Sequence, residues 1–153
     1  MKKIFFYLCC FAMFGCSGYE PLFLSKNSSF YIVSIENINN DPITRKLSLN
    51  LNNSKLPSVN KKGFILKASS STANNITSKN SAGDALTYEV VVNVKIAVFD
   101  NSGKIMVSRL NFNKSFNYNN QSNKFDLSQY KADILDNLIN KISQDIVIKL
   151  QSL

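Results

Sequence analysis

Between residues 85 and 99 the apolar side chains alternate without a break: Tyr88, Val90, Val92, Val94, Ile96 and Val98 all share one parity. A period of two belongs to a strand with one buried face. Glu89, Asn93 and Lys95 share the other parity with Val91 and Ala97, so the second face is partly wet. Asp100-Asn101-Ser102-Gly103 has the composition of a hairpin turn, and the chain returns as a strand from Lys104 to about Tyr118. On the return, Ile105 and Val107 take one parity while Leu110, Phe112 and Phe116 take the other, which a bulge near Ser108 or Arg109 reconciles.

The period changes to that of a helix after about Asp126. Leu127, Ile134, Leu138, Ile142, Ile146 and Leu150 stand at or near four-residue steps, and Leu135, Ile139 and Val147 widen the stripe enough to cover a sheet. Asp133, Asp136, Lys141 and Lys149 face outward. An earlier helix starts at Asp41-Pro42, where a side-chain acceptor meets a residue whose fixed φ suits the first helical position. Its stripe is Ile43, Leu47 and Leu51, and it is expected to run about four turns and end before Pro57.

Two further strands complete the pattern. Phe30-Tyr31-Ile32-Val33-Ser34-Ile35 is rich in β-branched and aromatic residues, as a strand buried on much of both faces would be, and Gly63-Phe64-Ile65-Leu66-Lys67-Ala68 reads as the second strand. Residues 69–83 are Ser, Thr and Asn in the main and read as a long loop, either functional or disordered. The order β-α-β-β-β-α implies an α+β, two-layer sandwich: a four-stranded mixed sheet with two helices on one face. No internal repeat interrupts it.

The first sixteen residues, MKKIFFYLCCFAMFGC, have the layout of an export signal: two lysines, an apolar run from Ile4 to Phe14, then a small residue before a cysteine. The run is shorter than the ~20 residues that cross a bilayer as a helix. Met13-Phe14-Gly15-Cys16 resembles a lipobox, so residues 1–15 are expected to be removed and Cys16 lipidated; an ordinary signal cut elsewhere or an uncleaved anchor is the alternative. Residues 16–29 then form a tether and 30–153 one domain. Cys9 and Cys10 lie inside the apolar run, and no cysteine follows Cys16, so no disulfide is available downstream.

Charge and chemistry narrow the function. The chain carries a formal +8, and an exported basic protein meets lipid head groups and phosphorylated glycolipids rather than nucleic acid. There is no histidine, no spacing nominates a pair of carboxylates, and Gly63, Gly83 and Gly103 stand alone. No catalytic residue, metal site or cofactor is therefore assigned.

Several fragments, in order, resemble the LptE family of lipopolysaccharide-assembly lipoproteins in its alphaproteobacterial form. They are Cys16-Ser17-Gly18-Tyr19-Glu20-Pro21-Leu22-Phe23, Ile35-Glu36-Asn37-Ile38, the helix with Arg45 and Leu47, Ala85-Leu86-Thr87-Tyr88, Lys114-Ser115-Phe116-Asn117-Tyr118 and Ala132-Asp133. The resemblance implies a non-catalytic outer-membrane lipoprotein on the periplasmic side, which plugs the LptD-type β-barrel, helps it assemble and assists lipopolysaccharide delivery to the outer leaflet. A periplasmic lipoprotein serving another lipid transporter is the alternative. The family often has an arginine just before the long strand's tyrosine, where Leu86-Thr87 offers no cation. The remaining candidates for lipopolysaccharide phosphate are Lys95, Arg109 and Lys114, although cations at a sheet edge more commonly serve to discourage pairing between molecules.

Overall fold

The computed structural model describes residues 29–52 and 61–153. The expected export signal, Cys16 and the expected tether up to residue 28 lie outside them. Strands β1 (Phe30–Asn37), β2 (Lys62–Lys79), β3 (Ala85–Asp100) and β4 (Met106–Asn119) form one sheet in the order β1-β2-β3-β4, with helix α1 (Pro42–Asn50) between β1 and β2 and helix α2 (Lys124–Gln151) at the end. β1 and β2 are parallel, joined through α1; the other two pairs are antiparallel. A parallel pair needs such a crossover, whereas antiparallel neighbours need only a turn. This is the α+β sandwich that the order of elements implied.

Both helices pack on one side of the sheet. Val90, Val92, Val94, Ile96 and Val98 of β3 meet Leu47 and Leu51 of α1 and Ile134, Leu138, Ile142, Ile146 and Leu150 of α2, all buried in one core with Phe30, Ile32, Phe64 and Leu66. Full burial of such a side chain stabilises by roughly 1.5–3 kcal/mol, so the stripe on α2 is the main attachment of that helix.

β1 departs from the expectation of two buried faces. Its register shifts between Ile32 and Ser34, leaving Val33 unpaired and exposed, so the apolar residues on either side of the bulge both turn to the helices. The dense apolar run thus reflects one buried face with a bulge in it.

α1 is shorter than expected. It spans nine residues, about two and a half turns, and is capped by Leu51. Leu51 is followed by Asn52, a residue type that favours leaving a helix because its side chain competes for backbone hydrogen bonds. Asp41 caps the helix as anticipated, accepting from Thr44 N.

The polar stretch 69–83 is not a loop. β2 continues to Lys79, laddered with β3 from Phe64↔Asp100 as far as Lys79↔Ala85. The turn that follows closes with Gly83 N to Asn80 O at 3.0 Å, and Gly83 has the positive φ that a side chain would resist. Residues 71–79 are exposed on both faces because the helices do not reach them. With no buried face there is no apolar alternation, and the backbone ladder makes the strand, helped by polar side-chain contacts such as Tyr118 Oη to Asn74 Oδ1.

The bulge in β4 falls where the parity switch placed it. Val98 pairs with Ser108 and Phe99 with Met106, so Val107 is the extra residue. α2 begins slightly earlier than Asp126: Asn123 is the cap, accepting from Phe125 N at 3.0 Å, and Asp126 lies in the first turn, where it favours the helix dipole.

Candidate functional site

Cross-strand partners share a face, so the ladder places Lys67, Ala97 and Arg109 in one row across β2, β3 and β4, and Ser69, Lys95 and Asn111 in the next. Both rows lie on the face away from the helices, since the buried residues of β2 and β3 have the opposite parity. Neighbouring strands are about 4.8 Å apart, so the Lys67 and Arg109 backbones stand roughly 10 Å from each other with only the Ala97 methyl between them. The missing bulk leaves a shallow hollow of about 180 Å³ that Lys67, Lys95 and Arg109 border, with Ile38 and Ser69 on its rim.

The three cations differ in their surroundings. Lys67 Nζ lies 3.1 Å from Glu36 Oε2 and 5.3 Å from the centre of the Phe99 ring. Lys95 and Arg109 form no ion pair with any described residue; Arg109 Nε donates to Met106 Sδ at 3.3 Å. That contact exists because the Val107 bulge brings Met106 and Arg109 to the same face despite their opposite sequence parity. Toward the β3–β4 turn the face is apolar, with Ile65, Phe99 and Met106 in one row. Away from the turn it is neutral and polar: Asn113 Nδ2 donates to Asn93 Oδ1 at 2.6 Å, beside Ser71.

Lys114 stands apart from these residues. It pairs with Val92, so it points to the helix side, and its Nζ is 2.8 Å from Asp145 Oδ2 on α2. Of the three cations singled out in the sequence, Lys95 and Arg109 are thus brought together and Lys114 is not. Lys67 was not singled out. Its outward direction is readable from Phe64, Leu66 and Ala68 facing inward, but its proximity to Arg109 depends on register. Cys16 lies outside the described residues.

The helix side has features of its own. At one end of the core, Tyr118 stacks on Tyr88 at 5.5 Å between ring centres and meets Tyr130 edge-on at 6.2 Å. Burial pushes the Tyr118 hydroxyl above its ordinary pKa, against the opposing effect of its 2.8 Å bond to Asn74 Oδ1. A cleft of about 340 Å³ follows between β4 and α2, lined by Phe116, Tyr130, Ile134 and Leu138. Among the described residues no three His, Cys, Asp or Glu side chains gather as metal ligands would, and no helix is long and apolar enough to cross a membrane.

Comparison with known proteins agrees with this architecture. Residues 28–150 match the family model described as LptE, lipopolysaccharide-assembly. No curated protein sequence matches the chain. Among solved structures, rare lipoprotein B of Shewanella oneidensis superposes with a TM-score of 0.59 at 16% identity, covering 80% of this chain and 93% of that one. A minor lipoprotein of Acinetobacter baumannii gives 0.58 at 15% identity over 80% and 92%. Lipoprotein B of Nitrosomonas europaea gives 0.59 at 12% over 84% and 88%. At these identities the likeness is one of fold.

Proposed function

Because the chain belongs to the LptE family of lipopolysaccharide-assembly proteins, we propose that it is an outer-membrane lipoprotein, anchored through Cys16 on the periplasmic side, that plugs an LptD-type β-barrel. In that position it helps the barrel assemble and assists delivery of lipopolysaccharide to the outer leaflet. The observation that carries this reading is the family match across almost the whole folded domain.

The shape is compatible with the role. β3 has 16 residues, so the sheet is roughly 50 Å long, while four strands make it only about 20 Å wide. A narrow, elongated body of this kind suits the lumen of a large outer-membrane barrel, which in some cases is filled by a plug. The family is one of assembly proteins and not of enzymes, and the role proposed here is non-catalytic.

Depletion of the protein tests the reading in cells. The expected outcome is a fall in surface lipopolysaccharide together with loss of correctly assembled barrel. Unchanged amounts of both on depletion would contradict it, and association with a different lipid transporter would favour the alternative. Mass spectrometry of the membrane-extracted protein tests the anchor, with an acylated Cys16 expected as the mature N-terminus.

A further inference from the structure

We propose that the open edge of β4 is where the barrel partner adds an extended segment of its own chain, as a fifth strand that is acidic on the helix-free face and apolar on the other. This rests on the reading of the chain as a barrel-bound lipoprotein, and it names the surface and the mode of contact that the reading leaves open.

The backbone gives the first argument. β4 is the last strand of the sheet, and among the described residues no strand pairs with its outer side. Asn120 N donates to Leu86 O at 2.8 Å, which fixes the alternation along the antiparallel pair. Leu110, Phe112, Lys114, Phe116 and Tyr118 bond to β3, so Arg109, Asn111, Asn113, Ser115 and Asn117 turn their N–H and C=O groups outward. Sheet proteins guard such edges by shortness, proline, bulges or charge. The opposite edge, β1, has eight residues and a bulge at Val33. β4 has 14 residues and no proline, and its bulge at Val107 lies at the start, so from Ser108 onward the ladder is regular. Among the residues that bond outward, Arg109 alone is charged.

Packing gives the second. α2 leaves the helix side of β4 incompletely covered: Leu110 and Phe112 are half-buried and Phe116 is 43% exposed. Beside Phe116 opens the cleft of about 340 Å³, with Tyr130, Ile134 and Leu138 on its wall. A strand added at the usual spacing of about 4.8 Å sends every second side chain to the helix side, toward this cleft. Backbone pairing then supplies affinity, and the cleft selects apolar side chains on the same segment.

Charge decides the occupant. β4 contains Arg109 and Lys114 and no acid. Asp145 meets Lys114, but Arg109 has no described acidic partner. A second copy docked through its own β4 brings no carboxylate from that strand, and two basic chains repel. A foreign strand with an aspartate or glutamate across from Arg109 supplies the missing charge. Arg109 and Phe116 lie on opposite faces, so the acid and the apolar residues of that strand fall on opposite parities.

The test is amide exchange on the full mature chain, free and in the complex that co-purifies with the barrel. In the free chain the outward amides of residues 109–117 should exchange fast and those bonded to β3 slowly; in the complex the outward ones should slow by about tenfold or more. Ser115→Pro removes an outward donor and no bond to β3, so barrel recovery should fall about tenfold, whereas Ser115→Ala keeps the N–H and should match the unaltered chain. Arg109→Glu should weaken association by roughly threefold or more. If Ser115→Pro proves unfolded in urea titration, the exchange measurement decides alone. The proposal is overturned if the outward amides exchange as fast in the complex as in the free chain, if a folded Ser115→Pro recovers as much barrel as Ser115→Ala, or if Arg109→Glu binds like the unaltered chain. Protection of these amides in a dimer of the free chain would give the edge to a second copy and overturn it too. Any of these results with the barrel still bound to the unaltered chain sinks this interface alone, whereas absence of the barrel from the unaltered chain sinks the barrel role itself.

Discussion

At the start of α1, one carboxylate joins two elements of structure, the helix and β2. Asp41 accepts from Thr44 N at 2.7 Å and Thr44 Oγ1 at 2.9 Å, and also from the backbone and hydroxyl of Ser70 on β2. Asp41→Ala removes the cap and the link to the sheet together, so a loss of about 1–2 kcal/mol is expected in urea unfolding. Burial acts to raise the Asp41 pKa, but the hydrogen bonds from Ser70 and Thr44 outweigh it and hold the carboxyl below its usual value of 3.8. A depressed folded-state pKa gives stability that is complete above the unfolded value and is lost as pH falls through the folded one. Asp41→Asn keeps a capping oxygen but not the titration. Its stability should therefore fall less steeply than that of the unaltered protein as pH drops below 3.8, which urea midpoints at a series of pH values will show. In the β3–β4 turn, Gly103 has φ +70°, a conformation that costs an L side chain roughly 1–2 kcal/mol, so Gly103→Ala should lower stability by about that amount in the same assay.

Two elements show opposite ways of holding a secondary structure. α2 is held by its stripe, and Ile142 at its centre is fully buried, so Ile142→Ala should cost about 2–5 kcal/mol in denaturant unfolding. β2 beyond Ser70 buries no apolar face and is held by its backbone ladder and a few polar side-chain contacts, paired with β3 on one side and, past the end of β1, with no strand on the other. Hydrogen exchange will distinguish the two sides: over residues 71–79 the amides directed at β3 should be protected, and the alternate ones, open to water, should exchange fast. Uniformly fast exchange there would contradict the strand. The two elements also explain what could be read in advance. β3 and α2 each bury one face, and burial imprints a period of two or of nearly four on the apolar residues. Residues 71–79 bury neither face, so their Ser, Thr and Asn composition is that of a loop although their conformation is that of a strand. The stripe of α1 ends at Leu51, and the polar Asn52 that follows it, rather than Pro57, marks where the helix stops.

For the molecule as a whole, the order of elements was enough to give the sandwich, because two helices with one stripe each and a strand with one apolar face have one economical packing. The cationic face was legible only in part. Lys95 and Arg109 could be singled out residue by residue, but Lys114 carried the same local signal and turns to the helix side, where Asp145 pairs with it. Lys67 joins the cluster through the β2–β3–β4 register, and Arg109 reaches it beside Met106 through the Val107 bulge. Register is a property of paired strands, and no single strand records it. The role proposed for this fold places it inside an outer-membrane barrel. Affinity purification of the tagged chain from solubilised outer membranes, with mass spectrometry of what accompanies it, tests this most directly. The predicted result is an LptD-type barrel in stoichiometric amount, and recovery of the chain without any such barrel would contradict the proposed role.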